Sequence, residues 1–234
     1  MSEQKLGVLG GMGPQATQTF YQFVLDRTDA VRDQEHLPAV ILSDTGIPDR
    51  TTAILSGETE PLYRRLLHNA ALLENCGCTA IAIPCNTSHY FVDRLQGDVR
   101  VPIVHMIRET AAALAASGKR RPGILATDGT VRSGLYQREC AALGMEAVVP
   151  DEQTQKLVME IIYDQIKQGK PGSRETFDRI DRALRDAGCD CAILACTELS
   201  VFAMQNPLPE FYLDAMMVLA EKAITCCGYP LRTI

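Results

Sequence analysis

The chain has 234 residues, 46% hydrophobic and 22% charged, enough for one large domain or two lobes and too ordinary in composition for a disordered or fibrous protein. Its net charge is −6, from 23 basic against 29 acidic residues. With no basic run, that balance argues against a nucleic-acid binder and makes recognition of any anionic small substrate depend on local cationic side chains.

The N-terminus, Met1 to Lys5, leads directly into a strand at Leu6–Gly10. No signal peptide and no membrane-length apolar run is visible, so a cytosolic protein without a membrane partner is expected. Further strands are predicted at Ala39–Ser43, Thr79–Pro84, Ile103–Met106, Gly123–Thr127, Ala147–Val149 and Cys191–Ala195. These runs are continuously apolar, as buried parallel strands are. Helical faces alternate with them, at Leu62, Leu66, Ala70 and Leu73, at Leu157, Ile161 and Ile166, and at Phe177, Ile180 and Leu184. Gly77, Gly169 and Gly188 mark helix ends. The alternation predicts an α/β fold built on parallel sheets.

The chain also repeats itself. Gly77-Cys78-Thr79-Ala80-Ile81-Ala82-Ile83-Pro84-Cys85-Asn86 aligns with Gly188-Cys189-Asp190-Cys191-Ala192-Ile193-Leu194-Ala195-Cys196-Thr197, 111 residues on. Gly7 to Gly13 aligns with Gly123 to Gly129, 116 residues on. Two copies of one βα lobe related by pseudo-twofold symmetry are expected: residues 1–101 with 208–234, and residues 102–207. Open α/β sheets bind ligands at the carboxyl ends of their strands, so a shared cleft is expected there, with Cys85 and Cys196 facing each other.

The nine cysteines form an odd set, which fits no complete disulfide framework. A buried cysteine ordinarily only fills space, and Cys76, Cys78, Cys140, Cys189, Cys191, Cys226 and Cys227 are read that way. Cys85 and Cys196 differ. Each ends a buried strand and precedes polar residues, Asn86-Thr87-Ser88 and Thr197-Glu198, where a helix N-terminus favours thiolate. Two opposed thiols suit a two-base racemisation, in which a thiolate removes a proton from carbon and a thiol returns one to the other face. Metal binding is not expected, because Cys76-Gly-Cys78 and Cys189-Asp-Cys191 are one residue too tight for the usual zinc pairs.

Other candidates are less specific. Gly10-Gly11-Met12-Gly13-Pro14 mimics a dinucleotide fingerprint, but Asp44 stands too far along for its acidic partner. The loop is read as a close approach to a small ligand with Met12 as a wall, against the alternative of a plain tight turn. Arg50, in Ile47-Pro48-Asp49-Arg50-Thr51, can grip a carboxylate, although most loop arginines are merely solvated. Lys167 precedes Gly169 at a helix end, where a cation is favoured in any case. Thr127 and Thr130 occupy the glycine-loop position of the second lobe. His89, four residues after Cys85, is read as a capping or core histidine in preference to a Cys–His pair.

At these residues the chain resembles the aspartate/glutamate racemase family, with aspartate racemases nearest. The matching segments are Gly10–Pro14, Ile47–Thr51, Pro84–His89, Ala126–Thr130 and Ala195–Glu198, in order along nearly the whole chain. The resemblance implies two Rossmann-like lobes, Cys85 and Cys196 as the acid/base pair, and Asn86, Thr87 and Thr197 as ligands of the amino acid. It also implies Arg50 and Lys167 on the distal carboxylate, a homodimer, and no pyridoxal phosphate or other cofactor. The expected substrate is aspartate, then glutamate. Asp128 departs from the threonine of aspartate racemases and would repel a dicarboxylate if it lines the cleft. A related cysteine-dependent isomerase or decarboxylase and a non-catalytic small-molecule binder are the alternatives.

Overall fold

The computed structural model describes residues 4–233. The opening residues 1–3, read above as leading into the first strand, lie outside it. The chain divides into two units: the described residues of Met1–Met106 with Met217–Ile234, and Ile107–Met216.

The first unit contains β1 (Leu6–Gly10), α1 (Pro14–Arg27), β2 (Ala39–Ser43), α2 (Arg50–Ser56), α3 (Glu60–Asn75), β3 (Ala80–Ala82), α4 (Val92–Asp98) and β4 (Ile103–Val104). Its sheet has the order β2-β1-β3-β4 and every pairing is parallel. All five residues of β1 are buried, as a central strand covered on both faces requires. β2, on the sheet edge, is half-exposed. The core closes when α3 lays Leu62, Leu66, Ala70 and Leu73 against Leu9, Ile81 and Ile83.

The chain enters the second unit inside α5 (Met106–Ala116) and leaves it inside α11 (Ala215–Cys226). Between them run β5 (Pro122–Leu125), α6 (Asp128–Ser133), α7 (Leu135–Ala142), α8 (Glu152–Met159), α9 (Arg174–Asp186), β6 (Cys191–Leu194), α10 (Thr197–Gln205) and β7 (Tyr212–Asp214). The sheet order is β5-β6-β7, again parallel, and Val148 forms a parallel bridge to Gly123 on the free side of β5. Phe177 stacks on Phe202 with ring centroids 4.8 Å apart, at the centre of a core that includes Ile161, Ile180 and Leu184.

The two topologies match. β1 lies between β2 and β3, and β5 lies between the Val148 bridge and β6. Val8 pairs with Ala82, and Ile124 pairs with Ile193. Ile124 lies 116 residues after Val8 and Ile193 lies 111 after Ala82, the offsets of the sequence repeat.

Several expected strands are shorter than their apolar runs. β3 stops at Ala82 because Cys85 N–H turns back to the Ile83 carbonyl (2.7 Å) and Pro84 has no N–H to give. The fourth strand stops at Val104 because Met106 begins a helix. Ala147–Val149 is reduced to the single bridge at Val148. β7 has no counterpart among the expected strands, being three residues between Pro209 and a helix. The helix expected through Leu157, Ile161 and Ile166 widens after α8 into a π-helical turn, Glu160–Gln165, and then tightens into a 3-10 turn, Ile166–Gln168. Cys76 and Cys226 also depart from their core assignment. Both are exposed, since they fall on the outer side of helix ends, while the other seven cysteines are buried.

Candidate active site

Each unit places one cysteine just beyond a strand that pairs with its first: Cys85 beyond β3 and Cys196 beyond β6. In the first, Cys85 is three residues past Ala82 and Gly11 is three past Val8, its register partner. In the second, Cys196 is three past Ile193 and Thr127 three past Ile124. Glycine loop and Cys85, and threonine cap and Cys196, are thus brought to the carboxyl edge of their own sheets by strand register.

In the first unit the glycine loop is dictated by the chain itself. Gly11 has φ +92°, and a Cβ there would stand 2.4 Å from the Asp44 backbone. Gly11 N–H donates to Thr17 Oγ1 (2.8 Å), which donates to the Gly13 carbonyl (2.9 Å). On the side where a Cβ would project, Gly11 is packed against the backbone after β2. Asp44 is equally committed. Arg65 grips it at 2.6 and 2.9 Å, Asn69 donates to it at 2.7 Å, and the Arg65 guanidinium holds its carboxyl well below the usual carboxylate range. Asp44 is therefore committed within the fold instead of facing a nucleotide ribose.

Met12 is buried, and its sulfur accepts from Ser88 Oγ at 3.1 Å. Arg50 opens α2, a helix capped by Asp49, which accepts from Thr52 N–H at 2.8 Å. The Arg50 guanidinium donates to the Pro48 carbonyl (3.1 Å) and the Met12 carbonyl (3.4 Å), tying α2 to the glycine loop. Met12, Arg50 and the Cys85 loop are thereby brought together. Cys85, Asn86, Thr87 and Ser88 are all buried. Asn86 does not cap the following turn with its side chain, and that turn, Thr87–Phe91, is a 3-10 helix.

His89 is 1% exposed. Its Nδ1 lies 2.9 Å from the Cys85 carbonyl, and its Nε2 accepts the Met106 N–H at 3.0 Å. Both ring nitrogens are spent on backbone, which assigns the proton to Nδ1 and removes His89 as a base for the sulfur. Burial lowers its pKa to about 3.

In the second unit Thr127 caps α6, accepting from Thr130 N–H at 3.3 Å, with the two hydroxyls 3.2 Å apart. Asp128 follows, and its carboxylate accepts from Gln155 at 2.8 Å. It lines a surface groove together with Glu160 and Asp164. The Lys167 ammonium lies over the Tyr163 ring, 3.9 Å from its centroid, carried there by the widened turn after α8. Cys196 is 6% exposed and its thiol donates to Glu198 Oε2 at 2.9 Å, while Thr197 Oγ1 donates to the same oxygen at 3.3 Å. Burial first, then the Glu198 carboxylate, push the Cys196 thiol well above its ordinary value; Lys167 pulls the other way. The helix N-terminus was expected to favour thiolate here, and at Cys196 these two effects outweigh it.

Glu198 was not singled out in the sequence. The available signal was an acid inside the largely apolar stretch Ala195 to Met204, two residues after the cysteine. Among the described residues, no group of three or more His, Cys, Asp or Glu side chains is arranged to hold a metal ion, and no helix is long and apolar enough to cross a membrane.

Compared with known proteins, residues 9–223 match the family model for Asp/Glu/Hydantoin racemase. The chain belongs to this racemase family. Its members among the relatives include a broad specificity amino-acid racemase, RacX, of Bacillus subtilis, 27% identical over 94% of this chain and 96% of its own. Among solved structures, the Picrophilus torridus aspartate racemase is 31% identical, with a TM-score of 0.83 over 98% of this chain and 96% of that one. An aspartate racemase homologue from Pyrococcus horikoshii is 25% identical, with a TM-score of 0.78 over 96% and 99%. The parallel α/β fold of this chain is that of these racemases, and the chain is accordingly an isomerase, an amino-acid racemase.

Proposed function

We propose that this racemase interconverts L- and D-aspartate by a two-base mechanism in which Cys85 and Cys196 are the acid/base pair and no cofactor takes part. The observation that carries the reading is positional. Each unit sets one buried cysteine three residues beyond the same register position of a parallel strand. Similarity to the Picrophilus torridus aspartate racemase supports the substrate class.

In this mechanism one sulfur, as thiolate, removes the α-proton, and the other, as thiol, returns one to the opposite face of the carbon. The developing carbanion needs oriented donors and exclusion of water. Asn86, Thr87, Thr127, Thr130 and Thr197 are assigned to the amino-acid core of the substrate, Met12 to an apolar wall, and Arg50 and Lys167 to the distal carboxylate. A homodimer acting on a small acidic amino acid in the cytosol completes the proposal.

A second reading concerns breadth. Asp128 stands where the resembling aspartate racemases carry threonine, and a carboxylate at that position disfavours a strict dicarboxylate specialist. The RacX relative carries a broad-specificity name. The range of amino acids that exchange separates the two readings.

The test is α-proton exchange in deuterated water across L- and D-amino acids. Aspartate should exchange from both enantiomers. Cys85→Ser and Cys196→Ser should each abolish racemisation with the fold intact, and each should retain exchange from at most one enantiomer. Wild-type turnover in both single variants rejects the mechanism.

A further inference from the structure

Cys196 does not stand alone in its half of the site. Glu198 is buried to the same degree, 6% exposed, on the first turn of α10 beside Leu199, Val201 and Phe202. A carboxylate so placed is costly unless hydrogen-bonded. The partners shown for it are the Cys196 thiol at 2.9 Å and the Thr197 hydroxyl at 3.3 Å, both on Oε2. The corresponding position after Cys85, two residues on, is Thr87, which carries no charge.

We infer that Glu198 is a positioning residue for the Cys196 proton: its carboxylate holds Cys196 as a thiol and aims it, so that the two cysteines are unequal before substrate binds. Ionising Cys196 would set two negative charges 2.9 Å apart in a dry environment, whereas the thiol makes a charge-assisted hydrogen bond there. Cys196 is then the proton donor of the resting enzyme and Cys85 its base. In the forward half-reaction the substrate α-proton passes to the Cys85 sulfur and the Cys196 proton passes to the opposite face of the carbon. The enzyme is left with Cys85 as thiol and Cys196 as thiolate against Glu198. Loss of a proton from Cys85 to water and gain of one by Cys196 restore the starting state.

The titratable groups shown acting on Cys196 include Glu198 on its own helix, Lys167 on the 3-10 turn and Tyr136 on α7. Lys167 opposes Glu198, and Tyr136, buried and with its pKa raised by burial, is a neutral neighbour at physiological pH.

This inference rests on the cysteine-pair reading, but its test needs no turnover. The intact protein is treated with methyl methanethiosulfonate across a pH series, and modification is followed at each cysteine by peptide mass, with melting curves to verify the fold. In the wild type, Cys196 should react with a midpoint above the ~8.5 of a free thiol. Glu198→Gln should lower that midpoint by a unit or more, making Cys196 about tenfold more reactive near neutral pH. Glu198→Asp, which keeps the charge, should stay close to wild type. An unchanged midpoint in Glu198→Gln overturns the inference, as does an equal rise at Cys85, which would report general loosening. If Glu198→Gln does not fold, the wild-type midpoint decides: a value at or below that of a free thiol overturns it. Loss of racemase activity in the cysteine variants is read separately, so the two ideas fail independently.

Discussion

Replacing Gly11 with alanine is the sharpest test of how the site is built. A Cβ at Gly11 would lie 2.4 Å from both the nitrogen and the carbonyl carbon of Asp44, backbone that cannot rotate away. The residue also holds φ +92°, where an L side chain costs about 1–2 kcal/mol. Forcing a methyl into packed backbone adds about 1–3 kcal/mol. Taking about 3 kcal/mol in total, and roughly 2–4 °C per kcal/mol for a chain of this size, Gly11→Ala should melt roughly 6–12 °C below the parent. Gly97→Ala is the control. Gly97 is exposed within α4, with nothing within 4 Å of an added Cβ. The same methyl there should stabilise, by roughly 0.5–1 kcal/mol, through helix propensity. Thermal unfolding by circular dichroism reads both. Gly11→Ala melting within about 2 °C of the parent, or falling no further than Gly97→Ala, would refute the claim that the loop is shaped by Asp44.

Two further predictions address charge. His89 is held down to about 3 in the folded protein, against about 6.5 unfolded, so the unfolded chain binds more protons between these values. Stability should therefore fall as pH drops below about 6.5, by about 1.4 kcal/mol per unit from this group, and His89→Gln should flatten that slope in denaturant titrations at pH 7 and pH 5. Equal slopes would assign the effect elsewhere. Arg50→Ala should raise KM for aspartate far more than for alanine. Equal effects on the two would mean that Arg50 serves only to tie Pro48 and Met12 carbonyls together.

The sequence exposed the parts of this molecule that depend on local pattern. Leu6–Gly10 and Ala39–Ser43 were bounded to the residue because apolar runs between polar turns leave little choice of strand limits. The repeat was visible because strand register keeps Cys85 and Cys196 at fixed distances beyond Ala82 and Ile193. Features set by tertiary contact were not visible. β7 has too few residues to show a period, and it exists because β6 offers an edge. The widened turn at Glu160–Gln165 left only one trace, the five-residue step from Ile161 to Ile166 in a pattern otherwise spaced by three or four. Glu198 reads in sequence as an ordinary acid in a first helical turn, where such residues are favoured. Only its burial against a thiol makes it distinct.

The first unit is assembled from both ends of the chain. Arg27, at the close of α1, pairs with Glu221 of α11 at 2.6 Å, and its carbonyl accepts the Arg232 N–H at 2.8 Å. During synthesis on the ribosome, residues through Met106 emerge first but must wait for the stretch that completes them. At about 5–20 residues per second, the intervening segment delays that closure by several seconds or more. The second unit, drawn from one uninterrupted stretch, has all its parts in hand earlier. Nascent chains released before Glu221 would therefore carry an unfinished amino-terminal half, a ready target for chaperones and proteases.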